Sequence, residues 1–388
     1  MNSAQLGDVA LINPRGDAVA AHERVSFVGM AQLDAEQAVA RPLETRLFAE
    51  VSKGYTIFRD GDVLAAKITP CWENGKIGQA RLDNKIGVGS TEFHVVRPGV
   101  ELDERYLLHF LRQPAIRASG ELRMTGSAGQ RRVPAAFLRD LRVPVPSLDE
   151  QRRIAGILDQ ADAIRAKRRQ VLAHLDALTQ SIFRGMFAEA PVTTTVEHIA
   201  IRMRTGPFGS QLLHSEFVDD GAVAVLGLDN VVANEFRWAQ RRYITDAKYE
   251  KLKRYTVLPG DVLISIMGTT GRCVVVPENI TTAINTKHIC AVTVDRENFD
   301  PIFLRGCFLW HPESRVHLHR QTKGSVMDGL NMGIIKEMPV PVPPLGSQRE
   351  FAARAYQVEV QRALVRRALD ADNELFASLQ GRAFQGEL

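Results

Sequence analysis

The 388-residue chain has no Gly-x-x-x-x-Gly-Lys-Ser/Thr phosphate loop and no Gly-x-Gly-x-x-Gly turn, so nothing in it points to nucleotide hydrolysis or dinucleotide binding. Its four cysteines, Cys71, Cys273, Cys290 and Cys307, show no Cys-x-x-Cys spacing, which argues against a zinc site or a disulfide framework and for core or surface thiols. No apolar stretch is long enough to span a bilayer, and residues Met1 to Asp8 lack the basic start and apolar run of a signal peptide. A cytoplasmic protein with no membrane contact is expected. Charge is nearly balanced at a net +4, which favours an anionic partner only weakly, so the distribution of charge matters more than its sum.

What the chain does have is a repeat. Val143-Pro144-Val145-Pro146-Ser147-Leu148-Asp149-Glu150-Gln151-Arg152 returns as Val340-Pro341-Val342-Pro343-Pro344-Leu345-Gly346-Ser347-Gln348-Arg349, with Leu148 and Leu345 lying 197 positions apart. Gly61-Asp62-Val63-Leu64 returns as Gly260-Asp261-Val262-Leu263, Gly126-Ser127 as Gly324-Ser325, and Phe183-Arg184-Gly185 as Phe384-Gln385-Gly386. Solenoid units repeat at roughly 20 to 50 residues, so this spacing means a tandem duplication of whole domains. The expected fold is α+β: globular domains at 1–143 and 191–340, each followed by a helical segment, 144–190 and 341–388. With 45% hydrophobic residues, each half can bury an ordinary core.

Within the first half, Asp62–Ile68 and Glu92–Val96 read as strands and Arg105–Leu111 as a helix stopped before Pro114. Val262–Ile266, Ala291–Val294 and Phe303–Leu309 before Pro312 repeat that order. The first long helix is announced by two prolines and a capping box, Ser147 to Glu150, and the second by Ser347 to Glu350. Ile154, Ile157, Ala161, Ile164, Arg168, Val171, Leu175, Leu178 and Ile182 step by three and four along the first. Phe351, Ala355, Val358, Arg362, Val365, Leu369, Asp372, Phe376 and Leu379 do so along the second. Two such seams in one chain can pair. An antiparallel coiled coil of helices roughly 35 residues long would make a rod on the order of 50 Å with the domains at opposite ends. A single seam of this kind would read more simply as the core face of a surface helix; two at matching places favour pairing.

No catalytic set is visible. Asp62 and Asp261, with Glu73 and Lys76 nearby, invite a metal-nuclease reading, but Gly-Asp entering a strand is the chemistry of a turn. Asn13-Pro14-Arg15 also reads as a turn, and His317-x-His319 as a chance pair among ten histidines. Positive charge gathers at Arg241, Arg242, Lys248, Lys251, Lys253 and Arg254, interleaved with Tyr243, Tyr249 and Tyr255; such a run is more often a solvated face than a DNA footprint. Small residues beside longer polar ones, at corresponding places in the two halves, suit close approach to a sugar-phosphate chain. The candidate DNA contacts are Lys67, Asn74, Lys76, Ser127, Gln130, Arg131 and Arg132 in the first half. Those in the second are Ser210, Arg241, Arg242, Thr269, Arg272, Lys287, Lys323 and Ser325. Ordinary hairpin turns are the competing account of these loops.

The doubled Pro-x-Pro-x-Leu-x-x-Gln phrase resembles that of the specificity subunits of type I restriction-modification systems, and the resemblance covers the whole chain. Gly61-Asp62-Val63-Leu64 with Gly89-Ser90-Thr91-Glu92-Phe93 is similar to one recognition-domain pattern. Gly206-Pro207-Phe208-Gly209-Ser210 followed by Gly260-Asp261-Val262-Leu263 and Gly268-Thr269-Thr270-Gly271 is similar to another. The second phrase departs at Gly346-Ser347, where an acidic residue is usual, and at Phe351, where isoleucine is. The resemblance implies a chain without catalytic activity or cofactor of its own, whose two domains each read half of a bipartite double-stranded DNA target across an unspecified gap. It implies two methyltransferase subunits using S-adenosylmethionine, docked on helices through Ile154, Ile157, Ile164, Val171, Leu175, Leu178, Phe351, Val358, Val365, Leu369, Phe376 and Leu379. Restriction subunits driven by ATP and Mg would join for cleavage. A recognition chain of a compact system, whose single partner both cuts and methylates, and a coiled-coil scaffold that binds no DNA are the alternatives.

Overall fold

The computed structural model describes residues 2–127, 129–238, 241–322 and 329–388. The chain divides into two units, one built from residues 1–171 and 365–388, the other from 172–364. The division falls inside both long helices, a central one at Leu148–Phe187 and a terminal one at Leu345–Gln385. Each unit therefore contains a stretch of both.

Both units use the same sheet plan among the described residues. In the first, strands Ala10–Ile12, Phe93–Pro98, Val63–Ala66 and Ile77–Ala80 lie side by side in that order, extended by the short strands Val39–Ala40 and Leu33–Asp34. The second lays Ala200–Thr205, Ile289–Val294, Val262–Ser265 and Cys273–Val275 in the matching order. A further sheet, Glu44–Leu47, Arg24–Val28, Ile86–Gly89 and Thr56–Arg59, is answered by Tyr243–Ile244, Val223–Leu226, Ala283–Asn285 and Thr256–Val257. In both copies the middle pair is parallel, Phe27 facing Val88 and Val225 facing Ile284. The duplication thus extends from sequence to strand order and register.

The expected strands and helices form, with informative differences at their ends. Prolines 114 and 312 stop one helix as expected but also start the next, Pro114–Leu122 and Pro312–Thr322, because a proline at the first helical position gives up an amide that has no partner there anyway. The capping box is half made at the central helix: Ser147 Oγ accepts the Glu150 N–H at 3.3 Å, while Glu150 turns away to Arg153. At the terminal helix it is absent. That helix begins two residues before Ser347, at Leu345, and Glu350 pairs with Arg354.

The two long helices run antiparallel within each unit. In the first, Arg168 pairs with Asp372, Arg165 donates to Asn373 at 2.8 Å and lies 4.2 Å over the Phe376 ring, and Arg153 reaches the Leu388 carbonyl. In the second, Arg362 pairs with Asp176 at 2.8 Å, and Phe183 packs edge-on against Phe351 at 5.3 Å. Phe351, Val358 and Phe376 are buried, and Val365, Leu369 and Leu379 half-buried. On the central helix the buried row differs from the expected one at every second step. It runs Ile154, Leu158, Ala161, Arg165, Arg168, Leu172, Leu175, Thr179, Ile182, all buried or half-buried. Ile164, Val171 and Leu178 instead stay exposed at 50%, 43% and 44%, and Ile157 is half-buried. Three-four stepping fits two neighbouring phases, and apolarity selected the wrong one because Arg165 and Thr179 hold seam positions.

Candidate nucleic-acid interface

Gln151 and Gln348 anchor each domain to its long helix. The repeated phrase begins as a strand: Arg142–Pro144 pairs with Ser3–Gln5, and Pro339–Pro341 with Val192–Thr195. One helical turn later, the fully buried Gln151 accepts the Asp103 N–H at 2.8 Å and donates to the carbonyls of Glu101 and Pro146 at 2.8 and 2.9 Å. Gln348, equally buried, accepts from Asp300 N–H at 2.9 Å and donates to Pro343 carbonyl at 2.8 Å. Asp103 and Asp300 in turn cap the helices Glu104–Leu111 and Pro301–Trp310. The phrase is a joint whose glutamine satisfies backbone groups that burial would leave unpaired.

The repeated Gly-Asp pairs are structural. Asp62 accepts from Arg59 N–H and binds Arg97 at 2.8 Å through two nitrogens; Asp261 accepts from Leu258 N–H and binds Arg204 and Thr293. Both carboxylates are buried and fully engaged, as the turn reading required. Glu73 and Lys76 follow the far end of the strand that Asp62 opens, about 13 Å away at 3.3 Å per residue, and bond to Thr69 and the Met30 carbonyl. No group of acidic, His or Cys residues among the described residues is arranged to hold a metal. His317 is spent on the Ile334 carbonyl at 2.9 Å.

In the first unit, three loops meet at one end of the larger sheet. Lys67 N–H bonds to Glu92 carbonyl and Thr69 N–H to Arg131 carbonyl, each at 2.9 Å, and Arg132 pairs through backbone with Thr125 and through its guanidinium with Glu92 at 2.8 Å. This gathers Lys67, Gln130, Arg131 and Arg132, with Ser127 exposed at the rim. Asn74 is exposed, but Lys76 is folded back on Met30. Electrostatics keep the cluster charged: the Arg132 hydrogen bond, outweighing burial, holds the Glu92 carboxyl below its usual range. Beneath it, burial pushes His94 down, and its ring bonds to the Val133 carbonyl and Asn13.

The equivalent end of the second unit carries Thr269 and Arg272 on the turn between strands Val262–Ser265 and Cys273–Val275. Gly268 and Gly271 there adopt φ of +74° and +81°, which only glycine enters without strain, and Ser265 Oγ donates to Thr269 carbonyl at 2.6 Å. Lys287 is exposed on the neighbouring connection. The loop leading to the exposed Ser210 is pressed so closely on Asn285 that a Cβ on Gly206 would lie 2.0 Å from its carbonyl oxygen. Arg241 stacks on Trp238 at 5.3 Å. Three of the six cations of the basic run pair with acids: Arg242 with Asp229, Lys248 with Glu216 at 2.6 Å, and Lys253 with Glu250 at 2.7 Å. Lys323 and Ser325 lie outside the described residues.

Sequence reasoning missed the two glutamines as working residues, although the repeat displayed both. It also missed Asp159 on the central helix, which receives hydrogen bonds from the buried His109 at 2.7 Å and from Arg105. Burial alone would raise its carboxyl, but these donors bring it down to about 2.

Residues 4–174 match the family described as type I restriction modification DNA specificity domain. The Escherichia coli type I restriction enzyme EcoEI specificity subunit is 39% identical over 180 residues, covering 46% of this chain and 30% of the relative. The EcoAI subunit of the same species is 40% identical over 180 residues, covering 45% and 30%. The alignments therefore span about a third of the length of these two curated relatives. Among solved structures, a chain from a study of complex assembly and conformational transition of the type I R-M system aligns with a TM-score of 0.58 at 17% identity, covering all of this chain and 98% of that one. The type I restriction-modification S subunit from M. genitalium aligns with a TM-score of 0.57 at 12% identity, covering 99% and 96%. The fold is that of these chains.

Proposed function

We propose that this chain, a relative of the type I restriction enzyme specificity subunits, is the sequence-reading subunit of a type I restriction-modification complex. The observation that carries the proposal is the duplicated plan itself: two units with the same sheets, each presenting a loop edge of Lys, Arg, Gln, Ser and Thr, on antiparallel segments of the same two helices. Residues 1–143 and 191–340 are assigned as the recognition domains, one per half-site. The helical segments 144–190 and 341–388 set the gap between halves. Direct contacts are assigned to Lys67, Asn74, Ser127, Gln130, Arg131, Arg132, Ser210, Arg241, Thr269, Arg272 and Lys287.

Methylation and cleavage then belong to partners: two methyltransferase subunits using S-adenosylmethionine, and ATP- and Mg-dependent restriction subunits. Ile157, Ile164, Val171 and Leu178 recur every seven residues down one side of the central helix, and the last three are exposed. Large apolar side chains left exposed on a helix suit a protein partner, which supports docking of the methyltransferase there. Exchanging residues 1–143 for the corresponding domain of another such subunit should change one half of the methylated target and leave the other half intact. A change in both halves rejects modular reading.

A further inference from the structure

Both units tie one particular loop to the long helices, and they do it with different residues. The loops follow the central parallel strands, residues 29–37 after Arg24–Val28 and 227–238 after Val223–Leu226, and the shared register makes them equivalent. One end of each touches a candidate contact turn. Lys76 Nζ donates to the Met30 carbonyl at 2.8 Å, and in the other unit a Cβ on Gly268 would meet Leu228 Cδ1 at 2.9 Å.

The other end of each loop reaches a long helix. Arg112 donates to the Ala35 carbonyl at 3.1 Å and pairs with Asp162 of the central helix at 3.0 Å. In the second unit Arg305 donates to the Asn234 carbonyl at 2.9 Å, while the adjacent Glu235 pairs with Arg362 of the terminal helix, itself paired with Asp176 and Glu359. Side-chain exposure is 15% for both Arg112 and Asp162, 12% for Arg362 and 9% for Glu235, so these are shielded pairs that salt screens poorly. Arg112 stands nine residues after the helix cap Asp103, and the same step from Asp300 reaches Leu309, so the tie is not a residue inherited through the duplication. The loop-side residues are unmatched, whereas the helix side is one i,i+3 pair repeated at the 197-residue offset, Asp162–Arg165 and Glu359–Arg362.

We propose that the Glu235–Arg362 pair, and its counterpart Arg112–Asp162, hold these loops in register with the long helices, so that selectivity for each half-site depends on its helix tie. These are positioning residues, and the inference rests on the DNA-reading proposal above. Removing one partner breaks the link between loop and helix while the remaining charge keeps its other contacts, Arg362 with Asp176 and Glu359 and Asp162 with Arg165, and this frees the loop beneath the contact turn. A contact turn displaced by an ångström loses base selectivity before it loses phosphate affinity.

The test co-expresses the full chain with its methyltransferase subunits in a host free of background adenine methylation and maps modified bases across the genome. Glu235→Gln and Arg362→Met should each relax base selectivity about 10-fold, a single lost base contact, at positions in one half of the motif only. The gap and the other half should not change, and the charge-conserving Arg362→Lys should keep selectivity. Asp162→Asn should relax the opposite half. Full selectivity in both halves, with methylation unchanged or uniformly reduced, overturns the inference, because a purely structural role lowers yield without redistributing sites; thermal unfolding of each variant separates the two. An unmutated chain that directs no sequence-specific methylation overturns the DNA-reading proposal first, a result distinguishable from failure of the ties alone.

Discussion

The side-chain carbonyl of Gln151 accepts the backbone N–H of Asp103 at 2.8 Å, and through it the first turn of the central helix is fastened to the cap of a domain helix. Gln348 repeats the contact on Asp300. Gln151→Leu keeps the volume but strands one buried N–H and two carbonyls, and an unsatisfied buried group costs about 1–3 kcal/mol. Loss of stability of at least that size is expected in urea unfolding of the variant, and a neutral result would mean the joint is held by packing alone.

The phase of the central helix is testable by paired truncations. Leu158 is fully buried, so Leu158→Ala should cost about 2–5 kcal/mol, whereas Ile164→Ala on the exposed side should stay within about 0.5 kcal/mol in the isolated chain. Calorimetric or denaturant unfolding of the two variants decides between the phases. Equal losses would restore the phase expected from apolarity.

Asp159 makes stability fall in acid. Its folded carboxyl lies at about 2 against an unperturbed 3.8, so the unfolded chain binds the proton more readily. The contribution is complete above about pH 5 and is lost as pH falls through 3.8 towards 2. Asp159 is one-third exposed, so screening limits the effect to about 1 kcal/mol. Asp159→Asn should lower stability at pH 7 and flatten the decline between pH 5 and 3, read from urea midpoints across that range.

Arg272 and Lys287 sit exposed on neighbouring connections of the second unit. If both neutralise phosphates, Arg272→Ala/Lys287→Ala weakens DNA binding and lowers the slope of log affinity against log salt by roughly 1.8, at 0.9 per contact. Titration of the assembled methyltransferase with target duplex at several salt concentrations measures it. An unchanged slope removes both residues from the interface.

The architecture was legible because duplication writes itself twice: an offset near 197 pointed to both long helices and to the Gly-Asp strands before any contact was known. Composition was a poorer guide to the helix seam, where Arg165 stacks on Phe376 while Ile164 faces outward. A guanidinium can bury its planar face and keep its nitrogens bonded to Asn373, and no hydropathy pattern encodes that. The basic run at 241–254, which the sequence presents as a solvated face more often than a DNA footprint, is partly paired with Asp229 and Glu216, acids that lie outside it. Glutamines 151 and 348 stood in plain view in the repeat, but the backbone N–H that each accepts lies 48 residues earlier, a pairing only the fold discloses.

The central claim is that two units of one chain read two halves of one DNA target. Genome-wide mapping of methylated bases, in cells that express this chain with the methyltransferase subunits proposed for it and in cells that express those subunits alone, tests it most directly. The account predicts a split motif with a single fixed gap that vanishes when this chain is omitted. Methylation of a continuous motif, or of the same sites without this chain, would contradict it.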